Sequence, residues 1–327
     1  MAMTCAANVH PLGKTFPGQL GIHADKHDKG LKDIADAIRK HGGVSSVQIH
    51  HGGVRANPDA LLPPNTMVGL GEGERRQPVG PSAFAPTGAR ALGLDEVAAV
   101  RDEHIGAAVR AQKAGFDGVE VHGAFGWLVM QFLSPVYNER TDCYGGSVEN
   151  RARFLFEILD GIRRTCHRDF QIGLRISMER YGVPLADLRA VVARAMREGK
   201  IDYLDLAMWD YRKVVDSSFE LGPSDMEWKG RTLLSLFTEI PRHGVAVGAS
   251  GHVMSARQAV EVLEAGCDFV MLGKGAILDP DLPRKIREEG DWRAPGLPVT
   301  AGWLRENARL SERFIDYMRT WDGFVSD

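Results

Sequence analysis

The chain is short of the features that would assign it to a simple class. Cysteine is scarce, with four in 327 residues. Cys5, Cys143, Cys166 and Cys267 lie far apart, and no pair has the spacing of metal ligands. They do not read as a disulfide framework, so a reducing compartment is expected and no metal site is. An excess of one charge sign is also missing: Lys+Arg 40 against Asp+Glu 43 leaves −3. That removes the electrostatic case for a nucleic-acid partner or an acidic surface. No apolar run is long enough to cross a bilayer, and the N-terminus lacks the basic-then-apolar pattern of a leader. These exclusions point to a cytoplasmic protein with no nucleic acid and no membrane as partner, and they leave a small-molecule substrate open. No solenoid repeat or low-complexity linker divides the chain.

What is present is a hydrophobic content of 44%, enough for a sizeable core in one large domain or two ordinary ones. Strand and helix patterns alternate along the chain. Val44 to Ile49 reads as a β-branched strand, Gly118 to Val121 as a buried one, and Gln171 to Ile176 as another that carries Arg175. Further strands are expected at Ile201 to Leu206, Gly244 to Gly248 and Asp268 to Leu272. Met1 to Val9 looks like a strand's tail. Helices are expected at Lys29 to His41, Asp95 to Ala114, Val148 to Arg164, Pro184 to Glu198, Arg231 to Glu239 and Ser255 to Glu264. Gly302 to Thr320 is expected to form an amphipathic C-terminal helix. The segment that follows His50-His51-Gly52-Gly53 and runs to Leu94 is rich in Pro and Gly, and a loop of that length in a compact domain is usually functional or mobile.

This alternation means parallel βαβ units. An open doubly wound sheet would place its Gly-rich turn after the first strand. Here the Gly-rich turns follow the last two strands, as in a TIM-type (β/α)8 barrel. The expectation is therefore one α/β barrel domain over residues 1–327, ending in a helix. Only seven strands can be counted, and eight are needed to close such a barrel.

The most informative stretch runs from Asp117 to Phe154. A strand delivers His122 into a long polar crossing, and Ser147 is placed to cap the next helix, with Glu149 in its first turn. The run Gln131-Phe132-Leu133-Ser134-Pro135, Asn138, Arg140-Thr141-Asp142, Tyr144-Gly145-Gly146-Ser147, Glu149-Asn150-Arg151 and Arg153-Phe154 resembles the signature of the old yellow enzyme family. That family comprises FMN-dependent ene-reductases on a β/α barrel. The resemblance implies FMN as cofactor and NADH or NADPH as reductant. It also implies a strand and helix before the segment matching Met1 to Val9, so the chain is expected to start late and the barrel to be incomplete at its N-terminus.

Several residues carry the expected chemistry. The Gln48 amide offers a donor and an acceptor, which suits a pyrimidine edge, and by resemblance it reads the flavin; a solvated strand-end amide is the alternative. Arg175 is a charge in an apolar strand and must face something polar. By resemblance it balances the reduced flavin; a structural ion pair is the alternative. Ser250-Gly251 and Gly273-Lys274-Gly275 expose backbone N–H groups where an FMN phosphate would fit, with plain tight turns as the alternative. Where the family usually has arginine, this chain has Lys274, which keeps the charge and loses the bidentate fork. Ala6 matches a small residue beside the flavin. His51 resembles a family histidine, and Arg55 sits one place later than the family's arginine.

His122 is the candidate for donating a hydrogen bond to a substrate carbonyl. Its family partner, His or Asn, is replaced by Phe125, and a frequent proton-donating tyrosine is replaced by Trp127. An indole N–H is far too weak an acid to deliver a proton near neutral pH. Tyr181 is the substitute donor considered. The leading function is thus hydride transfer from NAD(P)H through FMN to an activated, conjugated double bond. A non-flavin barrel lyase or isomerase on a phosphorylated substrate, and a flavin binder with little activity, are the alternatives. Trp303, Phe314 and Trp321 leave room for a homo-oligomer.

Overall fold

A computed structural model describes residues 1–16, 18–57, 77–216 and 223–327. Much of the Pro/Gly-rich segment expected to be functional or mobile, 58–76, lies outside the described residues.

The core is one curled parallel sheet. Its first position holds two short pieces, β1 (Ala2–Met3) and β2 (Ala7–Asn8), which both pair with β3 (Ser45–His50). Helix α1 (Asp28–Lys40) precedes β3. A separate parallel pair, β4 (Val79–Gly80) and β5 (Arg90–Ala91), leads to helix α2 (Leu94–Ala114). Then follow β6 (Gly118–Gly123), helices α3 (Leu128–Leu133) and α4 (Val148–Thr165), β7 (Gln171–Ile176), α5 (Leu185–Arg197) and β8 (Tyr203–Ala207). The chain continues through α6 (Leu233–Thr238), β9 (Ala246–Ser250), α7 (Ala256–Glu264), β10 (Phe269–Val270), α8 (Lys274–Leu278) and α9 (Leu282–Glu288). Across the sheet the order is β1-β3-β6-β7-β8-β9-β10, with β2 beside β3. Among the described residues β10 pairs only with β9, so the sheet remains open.

Local chemistry explains the helix boundaries. The Glu96 carboxylate accepts from the Gly93 N–H at 2.8 Å and starts α2, and Gly115, at φ 92°, ends it in the left-handed conformation. Ser147 caps α4 through the Asn150 N–H, as its position predicts.

Strand alternation divides the residues by chemistry. Val47, Ile49, Val119, Val121, Ile172, Leu174, Ile176, Leu204, Leu206 and Val247 are essentially inaccessible and join the apolar core with the surrounding helices. The alternate positions carry Ser46, Gln48, His50, Glu120, His122, Arg175, Tyr203 and Asp205. The Ser46 and Tyr203 hydroxyls meet at 3.3 Å although β3 and β8 are not neighbours, so these side chains reach each other across the inside of the curl. A Cβ on Gly173 would strike the Tyr203 ring, and one on Gly248 the Phe269 ring; small residues there make room for large ones facing them.

Four expectations need correction. The strand expected at Gly244 to Gly248 is shifted to Ala246–Ser250, because Gly244 turns at φ 88° and pairing begins with the Ala246 N–H to Asp202 carbonyl bond. The strand through His122 ends at Gly123 rather than Val121. The crossing after His122 contains α3, whose six residues are all buried and therefore show no amphipathic period. The single C-terminal helix is instead α10 (Ala301–Glu306) and α11 (Glu312–Met318), separated by Arg309 at φ 55°. These two pack in a small satellite core around Leu304, Ile315 and Met318. No helix among the described residues is long and apolar enough to cross a membrane.

Candidate active site

The neighbouring strands β3, β6, β7 and β8 bring four polar side chains together. Gln48 donates from Nε2 to Glu120 Oε1 at 2.6 Å. Arg175 places Nη1 3.2 Å from Asp205 Oδ2, and its Nη2 donates to Ser250 Oγ at 3.2 Å. Glu120 and Asp205 are fully buried, a position that carboxylates rarely occupy unpaired. Burial pushes the Glu120 carboxyl up to about 8, with the negative charge of Asp205 adding to the effect and Arg175 opposing it. Burial also raises Asp205, against the pull of the Arg175 guanidinium.

His122 lies in the same buried layer. Burial holds its pKa well below the ordinary histidine value, and His50 and Arg175 push in the same direction. The ring is therefore neutral. Its Nδ1 accepts the Ala124 N–H at 3.3 Å, which leaves the proton on Nε2 as a donor. The His50 ring packs 5.3 Å from that of His122 and edge-on to Trp127 at 4.9 Å.

Phe125 occupies the place between these groups. Its ring is edge-on to His122 at 6.0 Å, and the Arg175 guanidinium sits 5.4 Å from its centre. The residue has φ 56°, uncommon for a bulky side chain. Both of its backbone groups are held there: its N–H donates to Ser177 Oγ at 2.7 Å, and its carbonyl accepts from Arg55. Arg55 in turn lies 4.7 Å over the Trp127 ring and 5.9 Å from that of Tyr181. Tyr181 thus stands on the same rim as Trp127. Burial raises its hydroxyl, and the Arg55 charge and hydrogen bond oppose that rise. His51 faces elsewhere: its Nδ1 accepts the Gly53 N–H at 3.0 Å and its ring stacks on His10.

The Gly-rich turns sit side by side because β9 and β10 are in register, Gly248 with Phe269 and Ala249 with Val270. Ser250 ends β9, and Gly251 follows at φ 142°, where a Cβ would meet the Met208 carbonyl oxygen at 2.9 Å. Gly273 precedes α8 (Lys274–Leu278). Lys274 is exposed, its Nζ 5.7 Å from the Trp321 ring. Ala6 fills the break between β1 and β2, its carbonyl accepting from Gln19 Nε2 at 3.0 Å.

Most of the signature run builds the crossing rather than facing the site. Asn138 Nδ2 donates to the Phe132 and Tyr144 carbonyls, each at 2.7 Å. Arg140 grips Asp142 at 2.6 Å and donates to the Pro81 carbonyl at 2.8 Å. Arg151 pairs with Asp187 and donates to the Leu133 carbonyl. Fully buried Gln131 ties the loops together, donating to the Gly52 and Gly126 carbonyls and accepting from the Val54 N–H. Glu120, Asp205 and His50 escaped the sequence reading. The signal was available for the first two, since each is a carboxylate between two aliphatic residues of a strand, as conspicuous as Arg175 among Leu174 and Ile176.

Residues 1–291 match the model of the NADH:flavin oxidoreductase / NADH oxidase family. The chain belongs to that family. A relative is the probable NADH-dependent flavin oxidoreductase YqiG of Bacillus subtilis, 36% identical over 297 residues, covering 88% of this chain and 74% of that one. Another is the probable flavin mononucleotide-dependent alkene reductase of Leishmania infantum, 32% identical over 86% of this chain and 76% of that one. Among solved structures, morphinone reductase superposes with a TM-score of 0.71 at 26% identity, covering 92% of this chain and 79% of that one. As a member of the NADH:flavin oxidoreductase family the chain is an NAD(P)H-dependent flavin oxidoreductase with FMN as its cofactor, on a curled α/β sheet of the TIM-barrel type.

FMN has a test in this site. Buried polar atoms without a protein partner cluster here: Arg175 Nε, Glu120 Oε2 and both ring nitrogens of His50. Buried groups of this kind call for a polar partner. The donors, acceptors and single guanidinium suit the polar edge of a flavin, and the paired turns after β9 and β10 suit its phosphate. The residues present fit the group.

Proposed function

We propose that the protein reduces an activated, conjugated double bond at the expense of NADH or NADPH, with Gln48, Arg175 and His122 as the working residues. Bound FMN supplies the hydride-transfer chemistry. Gln48 reads the pyrimidine edge, and the Arg175 guanidinium stabilises negative charge developing beside it. Ser250, Gly251, Gly273 and Lys274 hold the phosphate, and Ala6 permits close approach of the ring. His122 donates from Nε2 to the carbonyl oxygen of the substrate and draws electron density from the alkene.

Phe125 and Trp127 line an apolar, aromatic pocket, and Phe125 leaves no second oxyanion donor at its position, while the Trp127 indole can donate a hydrogen bond but not a proton. Removal of one such donor costs on the order of a hundredfold in rate, which makes small enones poor substrates. The proton that completes the reduction comes from Tyr181 or from water. Tyr181 is favoured because it shares a rim with Trp127 and contacts Arg55.

The observation that carries this reading is the buried Gln48–Glu120 and Arg175–Asp205 array beside His122, whose Nδ1 accepts the Ala124 N–H. The test is optical. Purified protein is expected to carry flavin absorption that NADH or NADPH bleaches without oxygen and that an activated alkene restores. A folded, colourless protein that cannot be reconstituted with FMN would overturn the reading. It would leave a phosphate-binding lyase or isomerase as the better account.

A further inference from the structure

Glu120 and Asp205 have no place in the chemistry above, yet they occupy the centre of the site. They stand on β6 and β8, on either side of the strand that carries Arg175. The groups facing Glu120 are Ser46 and Gln48 from β3, His122 from its own strand, Arg175 from β7, and Tyr203 and Asp205 from β8. Arg175 is the single cation among them. If both carboxyls were ionised, the trio would hold a net negative charge away from water, which is costly. One proton on one carboxyl balances the charge.

Geometry says which carboxyl takes it. Asp205 has the ion pair, with Arg175 Nη1 at 3.2 Å, although neither of its oxygens has a hydrogen-bond partner. Glu120 has a single hydrogen bond, from Gln48 Nε2 at 2.6 Å to Oε1, and its Oε2 has no partner. The Gln48 amide nitrogen also points at Met3 Sδ, 4.0 Å away. With the nitrogen engaged on both sides, the group that Gln48 turns to the site is its carbonyl oxygen. An acceptor there matches the N3–H donor of a flavin.

We propose that Glu120 is kept as a neutral carboxylic acid and serves as a positioning residue, holding the Gln48 amide so that its oxygen meets the flavin N3–H while Asp205 balances Arg175. The proposal rests on the FMN reading for its ligand, and on the buried array alone for the state of Glu120. A neutral acid keeps Gln48 in place without adding negative charge where reduced flavin must itself become anionic. Ionisation of Glu120 at alkaline pH would retain the hydrogen bond and lose that advantage.

Two measurements test it. In the first, FMN affinity of the apoprotein is followed by quenching of free flavin fluorescence from pH 6.5 to 9.5. Wild type is expected to lose about tenfold in affinity across that range, the effect of one added charge near the ring. Glu120→Gln, which preserves an acceptor for Gln48 and cannot ionise, is expected to bind as wild type does at pH 7 and to stay flat. Glu120→Leu should be weak throughout. Asp205→Asn should move the break to lower pH, since one negative charge facing Glu120 is gone. Parallel pH profiles for wild type and Glu120→Gln would overturn the proposal.

The second measurement needs no flavin. An infrared difference spectrum, wild type minus Glu120→Gln at pH 7, should show the C=O band of a protonated carboxyl. Absence of the band means an ionised Glu120 and ends the proposal. If the band is present and FMN does not bind at all, the acid stands and the flavin reading fails.

Discussion

Val121 and His122 are adjacent, and they belong to different halves of the protein. Val121 joins the apolar layer beneath the helices, with Val119, Leu174 and Leu206. His122 joins the inner layer with Gln48, Glu120, Arg175 and Asp205. The outer layer holds the sheet to its helices through burial of hydrocarbon, a non-directional term roughly proportional to area. The inner layer is polar, directional and short of partners, with unsatisfied atoms on Glu120, Arg175, Asp205 and His50. Fully satisfied apolar packing can therefore carry stability while a half-satisfied polar face waits for a ligand. Strand alternation lets one sequence do both.

Substitutions that separate the two faces should behave differently. The largest effect is expected from Arg175→Leu, which strands Asp205. Losing one partner of a buried pair costs about 3–5 kcal/mol of stability, measured by denaturant unfolding, and FMN retention should fall with it. The sign with pH is defined: burial raises Asp205, and without Arg175 it rises further, so the folded variant takes up a proton more readily than the unfolded chain. The deficit should be greatest at neutral and alkaline pH and shrink as the pH falls toward the ordinary carboxyl range, about 4. A deficit that is independent of pH would mean that Asp205 is satisfied elsewhere.

His122→Ala should leave folding and flavin content nearly intact and lower the rate of alkene reduction on the order of a hundredfold, the cost of one oxyanion donor. The split is read by comparing NAD(P)H bleaching with reoxidation by substrate, and only the second step should slow. Phe125→His together with Trp127→Tyr should move the other way and raise that second step by roughly tenfold, with a second donor and an acidic hydroxyl restored. No gain in a flavin-loaded protein would argue against these roles. The smallest effect belongs to the outer face. Ile172→Val should cost about 0.5–1.5 kcal/mol, seen as a lower melting temperature, with an unchanged flavin spectrum and reoxidation rate. A change in either optical property would show that the two faces are not separable.

Legibility in the sequence followed physical lines. Arg175 was conspicuous because a cation in an aliphatic strand has to be explained, and His122 because a strand delivers it to a polar crossing. The same logic applies to Glu120 in Gly118–Gly123 and to Asp205 in Tyr203–Ala207, each a carboxylate between aliphatic neighbours. The helix α3 was illegible for a different reason: burial on every side erases the periodicity by which helices are recognised. The break between α10 and α11 depends on Arg309 taking a left-handed conformation, which its residue type does not announce. The glycine turns after β9 and β10 could be read, but not the exposure of Lys274 or its seat near Trp321, 47 positions later.

The amino-acid order by itself determined the alternating strands and helices, the parallel sheet they require, and the identity of His122, Gln48 and Arg175 as site candidates. The strands and helices are local properties, set by period, caps and turns, and the site candidates stand out chiefly through the family resemblance of the run around them. Only the tertiary structure decided that Glu120 and Asp205 flank Arg175, that Gln48 is held by a carboxyl from the next strand, and that the Phe125 ring lies against both His122 and Arg175. Those are relations between residues far apart in the chain. They arise when the sheet curls and brings its polar face together, because a buried charge takes its meaning from what surrounds it.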